Sequence, residues 1–307
     1  MTRVVFMGTP DFAVPALRQL ITQAEVVGVV TQPDRPAGRG RQLRPSPIKE
    51  VAIAADIPVY QPERLRSDEA VAPLREWAPD IIVVAAFGQI LRANVLDLPP
   101  AGCLNIHASL LPRWRGASPI QHAILMGDAE SGISLMKMDV GLDTGPVYVS
   151  QALELAPDET AQTLHDRLAE LGGNLLADHL DAIVSGELVP QLQDDTLATY
   201  APRIDKAAGL IEWQRSAVEI DRQIRAMTPW PGAFTHWEGD SLRVLAARPV
   251  EVDGRGPAGS VWQLDDQLLV QTGAGSLQLL DLQLAGKKAT AAADFLRGRP
   301  HFLDAQL

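Results

Sequence analysis

The chain has 307 residues, with 46% hydrophobic and 21% charged side chains, and its 27 basic and 38 acidic residues give a net charge of −11. Its apolar runs are shorter than the ~18 residues that a membrane-spanning helix needs, its N-terminus lacks a signal-peptide pattern, and its one cysteine, Cys103, excludes an internal disulfide. These features predict a two-domain cytoplasmic protein, and the net acidity argues against indiscriminate nucleic-acid binding.

The N-terminal half alternates short apolar strands with helices. We predict strands over residues 3–7, 26–31, 81–86, 103–106 and 133–138 and helices over residues 14–20, 48–55 and 161–184. Ser46 followed by Pro47 is a typical helix start, and Gly186 a typical helix end. Because strand, helix and strand follow one another within about 30 residues, the pattern predicts a doubly wound, Rossmann-like α/β domain over residues 1–189.

The C-terminal third has a different texture. Residues 190–204 are mostly polar without clear periodicity, which predicts a linker. Beyond it, Ser216 and Glu219 form a capping-box pattern before a short helix that ends near Met227. Strand-like runs then follow at residues 242–247, 259–264, 268–271 and 277–284. Short strands with frequent turns predict a small β-barrel or sandwich over residues 205–307.

A basic cluster lies between the second strand and the helix that starts at Pro47. Five basic residues and no acidic residue occur from position 35 to position 49, namely Arg35, Arg39, Arg41, Arg44 and Lys49. Such a patch on an acidic protein can bind phosphates. A solvated loop is the alternative, and composition alone favours it.

Three polar residues carry the candidate chemistry. Asn105 and His107 are two positions apart at the end of a predicted strand, so their side chains share one face. A glycine-containing loop after the next strand could bring Asp143 to His107. An imidazole can move a proton between an attacking and a leaving nitrogen, an amide N–H can stabilise an oxyanion, and a carboxylate can fix the imidazole tautomer. Asn105 and His107 could instead bond backbone, and Asp143 could be an Asx-turn residue.

In combination, these motifs are more specific than each is alone. Asn-x-His, then Ser109-Leu-Leu-Pro-x-x-x-Gly116, then Asp139-x-Gly-x-Asp-Thr-Gly145 resembles the folate-dependent formyltransferases. Residues 7–12, 31–40, 112–117 and 285–288 resemble the branch of that family that formylates methionyl initiator tRNA. The resemblance implies a Rossmann-like catalytic domain, a linker and an OB-like C-terminal β-barrel.

The resemblance also implies site residues and ligands. The catalytic set is Asn105, His107 and Asp143, and the formyl donor is 10-formyltetrahydrofolate, with no metal. The folate-contact candidates are Ser109, Leu110, Leu111, Pro112 and Arg113. The candidates for contact with initiator methionyl-tRNA, among which Arg41 leads, are Arg35, Arg39, Arg41, Arg44, Lys49, Lys206, Lys287 and Lys288. We expect a monomer without membrane association.

Three other functions are compatible with parts of the sequence. A folate-dependent formyltransferase acting on a small amine, such as a nucleotide or an amino sugar, would share the catalytic set but would not need both the basic cluster and a barrel. A nicotinamide-dependent oxidoreductase is disfavoured because Gly8-Thr9-Pro10 lacks the G-x-G-x-x-G spacing. A non-catalytic tRNA-binding protein would not need all three polar residues beside a folate-like loop.

Overall fold

The computed structural model describes residues 1–37, 42–252 and 256–307. Within these residues the chain forms two compact units. The first contains residues 1–119, 130–154 and 165–201, and the second contains residues 120–129, 155–164 and 202–307. None of the helices in the described residues is long and apolar enough to cross a membrane.

The strands are numbered in chain order. Those up to residue 201 are β1 (Arg3–Gly8), β2 (Glu25–Val30), β3 (Arg35–Ala37), β4 (Gln42–Arg44), β5 (Val59–Tyr60), β6 (Ile81–Ala85), β7 (Cys103–His107), β8 (Arg115–Gly116), β9 (Glu130–Lys137), β10 (Val147–Glu154) and β11 (Tyr200–Ala201). The later strands are β12 (Ala233–Trp237), β13 (Asp240–Val250), β14 (Val261–Leu264), β15 (Gln267–Gln271), β16 (Ser276–Leu284) and β17 (Thr290–Ala291). The helices are α1 (Val14–Gln23), α2 (Pro47–Ala54), α3 (Asp68–Trp77), α4 (Ala93–Leu96), α5 (Pro119–Met126), α6 (Ala161–Ser185), α7 (Ala217–Ala226) and α8 (Ala292–Gly298).

The first unit is built on a mixed sheet whose centre is parallel. Its strand order is β10-β9-β7-β6-β1-β2-β5, in which β5, β2, β1, β6 and β7 run parallel, while β9 is antiparallel to both β7 and β10. All five residues of β6 are buried, as its continuous apolar run predicts for a strand covered on both faces. The predicted parallel α/β sheet is therefore confirmed, and an antiparallel edge that the sequence did not reveal extends it.

Side-chain caps determine where several helices begin. Ser46 precedes α2 and its Oγ accepts a hydrogen bond from the Lys49 backbone N–H. At α7 both halves of the predicted capping box are present. The Ser216 hydroxyl accepts from the Glu219 backbone N–H, and the Glu219 carboxylate accepts from the Ser216 backbone N–H. These polar side chains satisfy amides that have no partner inside the helix. Both predicted helix starts are therefore confirmed.

The second unit contains an antiparallel sheet with the order β12-β13-β16-β15-β14, and β17 pairs with β16. Its core includes Trp237, Phe295 and Phe302, whose rings pack against one another at centroid distances of 5.0–5.8 Å. The four predicted strands of this region are present. Among the described residues β12 and β14 do not pair, so the structure shows an antiparallel sheet, and its closure into an OB-like barrel stays a prediction.

Residues 191–201, which lie inside the predicted linker, are part of the first unit. Gln191 forms an antiparallel bridge with Val147, and β11 pairs in parallel with β8. Although this segment is polar, its backbone is therefore paired with other strands of the first unit.

Candidate active site

A cavity of about 460 Å³ opens beside the carboxyl ends of β6 and β7. Because these two strands are parallel neighbours, the residues that follow β6 and the last residues of β7 meet at one edge of the sheet. Asn105 and His107 both line this cavity, and Asp143 lines it from the loop after β9. The remaining lining residues are Phe12, Val84, Ala86, Phe87, Gly88, Gln89, Ile90, Leu91, Ile106, Ala108, Gly116, Ala117, Pro119, Met138, Asp139, Val140, Gly141 and Leu142.

His107 is buried, and its two ring nitrogens face different partners. Nε2 lies 3.0 Å from the backbone oxygen of Trp114. A carbonyl oxygen only accepts hydrogen bonds, so Nε2 must carry its proton and donate it. Nδ1 lies 3.7 Å from Oδ1 of Asp143. Nδ1 is therefore the nitrogen that can gain and lose a proton, and a carboxylate lies beside it.

Asp143 is held in place by the loop that carries it. Its Oδ2 accepts a hydrogen bond of 2.8 Å from the backbone N–H of Gly116. The loop bends around Asp139, whose Oδ1 accepts hydrogen bonds from the Gly141 amide and the Thr144 hydroxyl. At Gly145 a Cβ would lie 1.8 Å from the Lys137 carbonyl oxygen, so this close approach requires glycine. The loop thus places one carboxylate oxygen toward His107 and the other on a backbone amide.

The described residues that line this cavity do not include the five folate-contact candidates, Ser109, Leu110, Leu111, Pro112 and Arg113. The Ser109 hydroxyl donates to the Arg113 carbonyl at 2.6 Å, and the Ser109 carbonyl accepts from the Ser134 hydroxyl at 2.7 Å. The Arg113 guanidinium lies 4.4 Å from the Trp114 ring centroid. In this structure these residues shape the turn that delivers the Trp114 carbonyl to His107.

Sequence reasoning missed the stretch from Ala86 to Leu91, which forms one wall of the cavity. A signal for it was present, because this stretch directly follows the predicted strand over residues 81–86, and ligands bind outside the carboxyl ends of parallel strands. Residues 138–142 form another wall, in the loop already identified through Asp143. Ile90, Val140 and Leu142 are apolar and exposed there, which gives the cavity an apolar rim.

The basic candidates lie in different surroundings. Arg35 and Arg44 are exposed and stand opposite each other in the β3–β4 pair, whereas Arg39 and Arg41 lie outside the described residues. The Lys49 Nζ is 2.6 Å from Oδ2 of Asp34, and this contact lowers the Asp34 pKa. Lys49 is therefore neutralised within the chain. In the second unit the exposed candidates are Lys206, Lys287 and Lys288.

Family models described as "Formyl transferase" and "Formyl transferase, C-terminal domain" match residues 2–180 and 203–300. The chain therefore belongs to the formyl transferase family. Within that family it is 48% identical to the methionyl-tRNA formyltransferase of Geobacter sulfurreducens, over 96% of this chain and 93% of that protein. It is also 50% identical to the methionyl-tRNA formyltransferase of Citrifermentans bemidjiense, again over 96% and 93% of the two chains.

Solved structures of lower identity share the fold. A sugar 3N-formyl transferase, WlaRD, superposes with a TM-score of 0.69 at 18% identity, over 94% of this chain and 99% of that one. HypX from Aquifex aeolicus in complex with tetrahydrofolic acid superposes with a TM-score of 0.63 at 16% identity, and the match covers 99% of this chain but 48% of HypX. Within the described residues no group of three or more His, Cys, Asp or Glu side chains is placed to hold a metal ion.

Proposed function

We propose that this chain transfers the formyl group of 10-formyltetrahydrofolate to the α-amino group of methionyl initiator tRNA, which gives N-formylmethionyl-tRNA for translation initiation. One observation carries the proposal: methionyl-tRNA formyltransferases are 48–50% identical to the chain over 96% of its length. The convergence of Asn105, His107 and Asp143 on one cavity supplies the chemistry that such a transfer needs.

The folate donor binds as a substrate in the cavity at the carboxyl ends of β6 and β7. The cavity volume of about 460 Å³ lies within the usual range for small-molecule binding sites. The exposed apolar side chains of Ile90, Val140 and Leu142 offer a surface for its aromatic rings. Ser109–Arg113 stay the candidates for folate contacts, and they also shape the turn that carries the Trp114 carbonyl.

The reaction requires two proton transfers and no covalent enzyme intermediate. The α-amino nitrogen of the acceptor attacks the formyl carbon and forms a tetrahedral intermediate. His107 takes the proton from that nitrogen at Nδ1, because Nε2 already donates to the Trp114 carbonyl. Asp143 stabilises the resulting imidazolium from 3.7 Å, and the Asn105 side-chain N–H donates to the developing oxyanion. The bond from the formyl carbon to the folate nitrogen then breaks, and His107 returns the proton to the leaving nitrogen.

The tRNA acceptor is bound by cationic side chains. Arg35 and Arg44 are exposed and face each other across β3 and β4, which concentrates positive charge where a phosphate can neutralise it. We assign Arg39 and Arg41 to the same role, while Lys49 would first have to leave Asp34. Lys206, Lys287 and Lys288 provide further contacts. This function fits a cytoplasmic monomer with a catalytic domain over residues 1–189, a linker over 190–204 and an OB-like tRNA-binding domain over 205–307.

A formyl-transfer assay tests the proposal. The purified chain is supplied with 10-formyltetrahydrofolate and, in separate reactions, initiator methionyl-tRNA, elongator methionyl-tRNA or an amino-sugar nucleotide. We expect release of tetrahydrofolate and formylation with initiator methionyl-tRNA far above the other acceptors. Transfer to the amino-sugar nucleotide without transfer to either tRNA would replace the proposal by the small-amine alternative.

A further inference from the structure

The 191–201 segment contacts both stretches of backbone that hold the catalytic side chains. Gln193 is half-buried, and its side-chain nitrogen donates to the backbone oxygens of Asp143 at 2.8 Å and Gly145 at 2.7 Å. One amide group therefore fixes the loop on both sides of Thr144. The described residues that line the cavity include none from this segment. Gln193 therefore contacts the loop from outside the cavity.

Arg115 determines the orientation of the Gln193 amide. Its Nε and Nη2 donate to the Gln193 Oε1 at 3.0 and 2.9 Å, and Nη2 also pairs with Asp195 at 2.7 Å. A guanidinium only donates hydrogen bonds, so the Gln193 oxygen must face it and the NH₂ must face the loop. Arg115 is 2% exposed, so burial holds this arrangement rigidly.

The same segment fixes the other partners of the catalytic groups. The Thr199 hydroxyl accepts a hydrogen bond from the Trp114 backbone N–H at 2.9 Å. The Thr199 carbonyl accepts one from the Arg115 backbone N–H, also at 2.9 Å. Ala201 accepts the N–H of Ala117 at 2.9 Å. Between these bonds lie the Trp114 carbonyl, which accepts from His107, and the Gly116 amide, which donates to Asp143.

We infer that residues 193–201 are a positioning element of the active site, with Gln193 as the positioning residue for Asp143. Gln193 acts on the backbone on which the Asp143 carboxylate is mounted, and not on the substrate. A displacement of about 1 Å in a catalytic group can lower turnover by about a hundredfold. Two hydrogen bonds from a locked side chain are a direct means of preventing that displacement. The inference rests on the proposed function, since it concerns the catalytic role of Asp143.

A double-mutant cycle in the full-length protein tests the inference. Gln193→Glu keeps an oxygen that accepts from Arg115 but loses both N–H donors to the loop. Gln193→Met loses the donors and that amide oxygen, and it adds no charge. We expect either change to lower kcat by roughly tenfold to a hundredfold, with a smaller change in KM. In an Asp143→Asn background the same changes should lower kcat no further, because Gln193 acts through Asp143.

Gln191→Glu is the matched control, since Gln191 is exposed, lies outside residues 193–201, and among the described residues its side chain hydrogen-bonds the Val189 carbonyl at 3.4 Å. Each variant is assayed at a temperature where thermal melting shows it fully folded. A kcat equal to that of Gln191→Glu, or a loss that simply adds to that of Asp143→Asn, would overturn the inference.

A second measurement does not depend on catalysis. The Gly116 amide is hydrogen-bonded to Asp143, so a displaced loop should speed its hydrogen exchange. We expect faster exchange at Gly116 in both Gln193 variants and unchanged exchange in Gln191→Glu. Unchanged exchange in the Gln193 variants would contradict the positioning role. If wild type transferred no formyl group, the proposed function would fail while this measurement would still decide whether Gln193 positions Asp143.

Discussion

His107 differs from a solvent-exposed histidine because only one of its nitrogens is available to exchange a proton. The Trp114 carbonyl accepts a hydrogen bond from the Nε2–H, and Trp114 has a φ of 62°, in the left-handed region that non-glycine residues rarely adopt. Asp143 also has a positive φ, 54°. Unusual backbone at both partners of His107 is the pattern expected where geometry is set for chemistry.

Replacing His107 by alanine should remove the proton-transfer group and leave the sheet intact. We expect kcat to fall by about 10²–10⁴-fold while the protein, although less stable because a buried side chain is lost, stays folded at the assay temperature. His236→Ala is the control, since His236 is exposed on β12 of the second unit. Wild-type turnover in the His107 variant would exclude this residue from the mechanism.

Gly116 combines a functional amide with a conformation that only glycine adopts readily. Its φ is 119°, and a Cβ would lie 2.7 Å from the Ala201 carbonyl oxygen. We expect Gly116→Ala to lower the free energy of unfolding by about 1–3 kcal/mol. We also expect a lower kcat, because relief of the clash would move the backbone amide that donates to Asp143. Urea unfolding measures the first effect and the formyl-transfer assay the second.

Gly298→Ala is the control for that comparison, because in the described part of the chain, apart from its own chain neighbours and helix backbone, no atom lies within 4 Å of a Cβ built at Gly298, and its φ is ordinary. It should be neutral or slightly stabilising. Equal effects of the two substitutions would contradict the steric account of Gly116.

At the scale of elements, the helix starts and central strands follow directly from local chemistry. Ser46 and Ser216 cap α2 and α7, and the apolar run of β6 is buried throughout. Other elements could not be predicted locally. Strand β10 is an edge strand with mostly exposed or half-buried residues, so it lacks a buried pattern, and α3 contains Pro73, which normally ends a helix.

The site divides in the same way. Strand alternation places Asn105 and His107 together, but the wall over residues 86–91 and the role of residues 193–201 depend on which backbone atoms meet in three dimensions. No sequence pattern in a polar stretch indicates that Gln193 bonds to a loop 50 residues away. Contacts of this kind appear only in the folded chain.

The cap of α7 has a measurable pH signature. The hydrogen bonds from Ser216 lower the Glu219 pKa below its ordinary value of 4.5. Such a group stabilises the fold above its unfolded pKa and loses that contribution as pH falls through its folded pKa. We expect Ser216→Ala to lower the free energy of unfolding by about 1 kcal/mol near neutral pH, and the difference from wild type to shrink below pH ~4.

Urea unfolding at several pH values measures this difference. Ser185→Ala is the control, because among the described residues its exposed hydroxyl donates to the Ala182 carbonyl near the end of α6 and caps no helix start. A wild-type advantage over Ser216→Ala that stayed constant down to strongly acidic pH would exclude Glu219 as its source.

The whole molecule carries a net charge of −11, yet it presents exposed arginines at β3 and β4. Like charges directly opposite in an antiparallel pair destabilise it, so Arg35 and Arg44 have an electrostatic cost that a bound phosphate would relieve. The acidic remainder of the surface repels polyanions in general. This distribution of charge favours binding of a polyanion at the β3–β4 pair over binding elsewhere on the surface.

Arg44→Ala should therefore weaken initiator methionyl-tRNA and leave chemistry on a short acceptor largely unchanged. We expect a raised KM for the tRNA and a smaller salt dependence, by about one unit of the logarithmic slope. Arg75→Ala is the control, because Arg75 is exposed but paired with Asp68 at 2.8 Å. An equal loss with a minimal aminoacyl substrate that lacks the tRNA stem would contradict the assignment.

The pairing of β11 with β8 also bears on how this enzyme can be divided or recombined. A truncation after residue 189, where composition changes, would delete Gln193 with its hydrogen bonds to the Asp143 and Gly145 carbonyls. It would also delete Thr199 and Ala201, which accept hydrogen bonds from the backbone of residues 114–117. A chimaera that exchanges the C-terminal region with a homologue should keep its junction beyond Ala201, so that each active site retains the segment that holds its loop and its Trp114 turn.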